Sequence, residues 1–213
     1  MLSHPFYRAW TAGTLRVSSL RAYAAQYFRH VDAFPRYVSA VHSSCDSLPV
    51  RQALLENLVE EERGPDNHPA LWLNFAAALG VTEGEVRGTR TWKETRQLVD
   101  SFVELTRHGT YQEGLAALLA YESQIPAVAT AKIEGLARFY GVTEPRAIQF
   151  FSAHIEADAL HSATSSALLD AHTPSSNEAD VIAAAERARD ALWTFLDGAL
   201  EHGGTALASA APG

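Results

Sequence analysis

A chain of 213 residues has the length of one domain, because a single core grows to about 250 residues before chains divide. Its 47% hydrophobic and 20% charged residues exclude wholesale disorder, and a formal charge of −8 without any basic run excludes a nucleic-acid footprint. The lone Cys45 rules out an intramolecular disulfide framework; no apolar run nears the roughly 20 residues that span a bilayer, and no signal-like h-region opens the chain, so the protein is expected to be cytoplasmic.

Taken in chain order, apolar residues recur at helical spacing and nowhere alternate over a strand length, which makes the class all-α. Helices are expected over 3–11, 15–30, 32–44, 48–63, 68–80, 91–108, 112–140 with a bend at Pro126, 144–172 and 178–202. Gly64-Pro65 ends one helix, Gly80 another, and Gly141 separates Tyr140 from the helix opened by Glu144-Pro145. Residues 1–202 form the single domain; from Gly203 the small, weakly patterned tail to Gly213 is expected to fray. There is no internal repeat and no interdomain linker.

Polar residues stand where a core belongs. Ahead of the fourth break, Glu61 continues the stripe of Leu54 and Leu58, although Glu60 and Glu62 make it part of a charge run that a solvated face would explain equally well. His68 follows seven residues later, close to the same face if the helix continues and nearby if it kinks. Glu122 ends the row of Leu115, Leu118 and Leu119. The helix after Pro145 carries the strongest pattern: Ala147, Phe151, His154, Asp158, His161, Ser165 and Leu168 form one seam. The i, i+4 and i+7 positions of His154, Asp158 and His161 span roughly 60° of circumference, so the three side chains converge. Buried without partners they would cost several kcal/mol, so they require mutual hydrogen bonds or a cation. Imidazole and carboxylate from several helices are the donors with which bundles hold two iron or manganese ions.

The chain has only two lysines, Lys93 and Lys132, against fifteen arginines, and Lys132 falls on the stripe of Ile125, Ala129, Leu136 and Phe139. Burial there would lower its pKa and leave a usable amine; a side chain snorkelling from the stripe's edge is the alternative. Tyr7, Tyr23, Tyr27 and Tyr121 lie on or beside apolar faces, where a tyrosine is ordinarily packing.

Several segments together carry a family resemblance. His4-Pro5-Phe6-Tyr7, Ala22-Tyr23, His30 with Ala33-Phe34-Pro35-Arg36-Tyr37, Asn67-His68 with Leu71-Trp72, Tyr121-Glu122-Ser123-Gln124-Ile125-Pro126 and the His154, Asp158, His161 trio resemble the chlamydial protein associating with death domains and its bacterial relatives, over residues 4–200. The trio alone is shared by haem-oxygenase-like dimetal oxidases at large, and the wider superfamily includes the TenA and PqqC branches. The resemblance implies a haem-oxygenase-like bundle of about seven core helices without haem, usually dimeric. It also implies an Fe/Fe or Mn/Fe pair held by Glu61, His68, Glu122, His154, Asp158 and His161, with O₂ and an external reductant. By the same resemblance Glu61 is preferred to Glu62.

The implied activity is O₂-dependent formation of para-aminobenzoate for folate, in a single turnover. Tyr7 matches the tyrosine that supplies the ring, Lys132 the amino donor, and Tyr23 a tyrosine in the oxidation path. The chain lacks the cysteine-rich tail of the chlamydial kind, and no sequence feature supports death-domain binding. Rival readings are a dimetal oxidase of a diffusible fatty acid or amino acid, a cofactorless PqqC-like oxidase, which would not need six ligands, and a helical module that stores metal or binds a partner. A thiaminase would need a nucleophilic cysteine, and Cys45 lies outside any site motif.

Overall fold

The computed structural model describes residues 1–204. Ten α-helices and one short 3₁₀ turn make up the regular structure of these residues, without a strand. Helix α1 spans Pro5–Thr11; His4 caps it, its Nδ1 accepting the Phe6 N–H at 3.0 Å, while Pro5 supplies the preset φ of a first turn. Helix α2 runs unbroken from Val17 to Ser44, where two helices were expected. Its buried row of Tyr23, Tyr27, Val31, Phe34, Val38 and Val41 keeps the three-and-four spacing across residue 31, so packing holds the helix through Pro35.

Helices α3 (Leu48–Glu62) and α4 (His68–Ala78) are parted by Gly64, whose φ of +77° suits a residue without Cβ. A short α5, Glu83–Gly88, was not expected; a reciprocal capping box of Thr82 and Glu85 starts it. Helix α6 is Lys93–Arg107. The segment expected to bend at Pro126 is two helices, α7 (Tyr111–Glu122) and α8 (Ile125–Phe139), because the chain breaks at Ser123-Gln124 and Pro126 opens the second. Helix α9 is Pro145–His172, and α10, Glu178–His202, completes the bundle. The tail expected to fray lies, beyond Gly204, outside the described residues.

Helix α10 packs on α6 and α7, α9 on α4, α7 and α8, and α2 on α3, α4 and α6. The inner faces of α3, α4, α7 and α9 therefore meet on one side of the core, with α1, α2 and α8 beside them. Among the described residues no helix is long and apolar enough to cross a membrane. Cys45 is buried and free.

Candidate metal centre

Each of the six polar positions singled out in the sequence reaches one place. In the last turn of α3 only Glu61 points inward, at 5% exposure, while Glu60 and Glu62 face solvent. The chain then turns at Gly64, and Asn67 caps α4 by accepting the Ala70 N–H at 3.0 Å, which sets His68 at the first helical position. Helix α3 thus does not continue to His68. The turn instead folds His68 back, with its Nδ1 2.9 Å from Glu61 Oε1. From α9, His154 lies over His68, ring centroids 4.1 Å apart. Its Nδ1–H donates to the Phe150 carbonyl at 2.5 Å, which leaves Nε2 as a lone-pair donor.

Two groups of three result, Glu61 with His68 and His154, and Glu122 with Asp158 and His161; within each, the ligand-type atoms lie within 4.8 Å of one another. The residue missed in the sequence is Asn57, whose Nδ2–H donates to Glu122 Oε1 at 2.6 Å. Its place one turn before Glu61, on the inward row of α3, was the available signal.

The donor set fits cations better than it fits itself. His68 Nδ1, Glu122 Oε2, Asp158 Oδ2 and His161 Nδ1 are buried and make no hydrogen bond. His68 Nδ1 is close enough to Glu61 to attract it, yet the two are not aligned as donor and acceptor. Polar atoms that approach without bonding, in an interior where such omissions are rare, are aimed at something between them.

Electrostatics agree. Burial, reinforced by the Asp158 charge, pushes the Glu122 carboxyl up to about 8, and burial pushes Asp158 up to about 6. Burial also holds the His154 imidazole well below its ordinary value. For His68 and His161 burial opposes protonation, but the adjacent Glu61 and Asp158 carboxylates prevail and raise both. A divalent cation in each group would favour ionised carboxylates and neutral imidazoles, the form in which burial already holds His154.

Beside this cluster, Lys132 on α8 is 3% exposed, so the stripe's other members position it inside the core, although Phe139 at the stripe's end is exposed. Its Nζ donates to the Tyr23 hydroxyl at 2.8 Å and lies 5.5 Å from the ring centre of Tyr7. No carboxylate pairs with it among the described residues, and burial lowers its pKa to about 7. Tyr27 is stacked on Tyr23 with centroids 5.3 Å apart, and Tyr7, Tyr23, Tyr27 and Tyr121 are all buried. Burial raises all four phenols well above their usual range. One cavity of about 10 Å³ touches Lys132, Tyr27, Tyr121 and His154, and a second of about 20 Å³ touches Tyr7, Tyr27 and Tyr121. Each has room for about one water molecule.

Comparison with known proteins gives a consistent set. Residues 21–193 match the haem-oxygenase-like family described as iron-containing redox enzymes. The chain is 45% identical to a 4-aminobenzoate synthase of Nitrosomonas europaea, over 95% of this chain and 86% of that protein. It is 40% identical to a 4-aminobenzoate synthase of Chlamydia trachomatis, over 95% and 87% respectively. A TenA homologue from Pseudomonas syringae superposes with a TM-score of 0.82 at 17% identity, covering 94% of this chain and 86% of that one, a likeness of fold.

Proposed function

Since this chain belongs to the haem-oxygenase-like family of iron-containing redox enzymes, we propose that it makes 4-aminobenzoate, using its own Tyr7 as the ring and Lys132 as the nitrogen source. The observation that carries this reading is the chamber around Lys132, where tyrosine rings occupy the space a diffusible substrate would need. Ligand pockets are ordinarily far roomier.

Glu61, His68 and His154 would hold one metal ion and Glu122, Asp158 and His161 the other. Iron, or manganese with iron, together with an external reductant would supply the activation of O₂. The chain does the rest by placement. Phe150 fixes the His154 tautomer, and Asn57 orients Glu122. Tyr23 accepts the Lys132 hydrogen bond and the Tyr7 ring centre lies 5.5 Å from the same nitrogen, so the amine and the ring it would join are held side by side. Burial keeps a large fraction of Lys132 as the neutral amine near pH 7 and leaves water little access. Tyr27 and Tyr121 line both small cavities, the one that touches His154 and the one that touches Tyr7.

The test is a single-turnover assay. Metal-free protein carrying ring-labelled tyrosine, supplied with Fe(II), Mn(II), reductant and O₂, is expected to release labelled 4-aminobenzoate and to lose mass at Tyr7. Tyr7→Phe should abolish the product. Unlabelled product, or many turnovers on an added fatty acid or amino acid with Lys132→Ala fully active, overturns the proposal.

A further inference from the structure

The two groups of ligands differ in how they meet solvent. The group of Glu61, His68 and His154 is enclosed, each residue being buried. In the other, His161 is only partly buried and lines a cleft of about 150 Å³ between α3, α7 and α9, shared with Asn57, Glu60 and Ser165. Glu60 stands at the rim of this cleft. Its side chain is 48% exposed, yet its Oε2 lies 3.5 Å from His161 Nε2. The opposite ring nitrogen, Nδ1, is buried, lacks a hydrogen bond and lies 3.8 Å from Asp158 Oδ1. One edge of the imidazole thus faces the ligand group and the other faces a carboxylate that belongs to neither group.

A histidine that binds a metal through one nitrogen is commonly held by a carboxylate or carbonyl on the other, which fixes the tautomer and aims the lone pair. His154 already has such a partner in the Phe150 carbonyl. We propose that Glu60 plays this part for His161, accepting its Nε2–H so that Nδ1 is presented to the ion held with Glu122 and Asp158. Because Glu60 is free to move in solvent while Phe150 O is fixed in a helix, the two ions are unequal. The ion at Glu122, Asp158 and His161 is the exchangeable one, and Glu60 sets how tightly it stays.

This rests on the two-ion reading, and one experiment separates the two. Mn(II) is titrated calorimetrically into metal-free wild type, Glu60→Gln and Glu62→Gln. Wild type is expected to bind two ions. Glu60→Gln is expected to weaken one ion about 10- to 100-fold and leave the other unchanged. Glu62→Gln makes the same change of charge on the exposed side of the same turn and is expected to bind as wild type does. Matched thermal melts of the metal-free proteins are expected to coincide, since Glu60 is a surface residue. A Glu60→Gln isotherm equal to wild type overturns the assignment, as does equal weakening of both ions or the same loss in Glu62→Gln. Complete loss of one ion would make Glu60 a direct ligand and also overturns it. Wild type that binds fewer than two ions defeats the two-ion reading itself.

Discussion

Lys132 is a buried amine without a counter-ion, and that has a measurable cost. The unfolded chain keeps this proton up to about 10.5, whereas the folded chain releases it near 7, so on this group's account stability rises with pH between those values. Lys132→Met, of similar volume and without charge, is expected to raise stability at pH 7 by roughly 2 kcal/mol, read from thermal melts, while abolishing 4-aminobenzoate formation. Single-turnover yield in the wild type should climb as pH passes upward through about 7, where the neutral amine becomes the major form. The proposed ligands titrate in the same range with a separate readout. Glu122 near 8 and Asp158 near 6 must lose protons to bind a cation, so Mn(II) affinity is expected to increase from pH 6 to 8 with proton release. Calorimetry in two buffers of different ionisation enthalpy measures that release, and its absence would contradict the assigned ligands. Lys132 was legible as an oddity of composition on an apolar stripe. The Tyr23 hydroxyl as its partner was not, since 109 residues separate the two.

At the scale of elements, the contact between α1 and α8 fixes Tyr7 relative to Lys132. A Cβ on Gly135 would lie 2.6 Å from the Trp10 ring, and the Trp10 indole N–H donates to the Lys132 carbonyl at 3.2 Å. Gly135→Ala should therefore force α1 outward, costing about 2 kcal/mol in a urea melt, with product yield falling although no proposed ligand or reacting residue is altered. Most helices were readable from periodicity because apolar residues recur along them at three-and-four spacing, even in α2, which is buried all round from Ala22 to Phe28. The exceptions follow from local physics. Residue 31 has no helix-breaking character, so nothing in the sequence halts α2 there, and the six residues of α5 are too few to show a period. For the site, the seam of α9 was readable from spacing alone. Glu61 was not, because Glu60, Glu61 and Glu62 lie about 100° apart on α3 and only the packing of α3 on α9 decides which faces in. That Asn57 on α3 reaches Glu122 on α7, two helices not packed on one another, is likewise a tertiary fact.

Viewed as a whole, the six proposed ligands come from α3, α4, α7 and α9, so bound cations would tie four helices together and relieve the crowding of three buried carboxyls. Mn(II) at 100 times its Kd is expected to stabilise the fold by about 3 kcal/mol per site, raising Tm against a chelator-treated control. Helix α1 is held less firmly. Helix α1 has seven residues, and its backbone packs only on α8 and α10. If Tyr7 gives up its ring, the void falls in the buried chamber beside Lys132, and emptying a buried aromatic position costs about 3–5 kcal/mol. The four-helix centre that holds the proposed ligands would remain assembled while the amino-terminal turn loosened. A spent molecule would then carry a physical record of having reacted, a frayed and protease-sensitive end, and its lifetime in the cell would be set by the same event that formed the product.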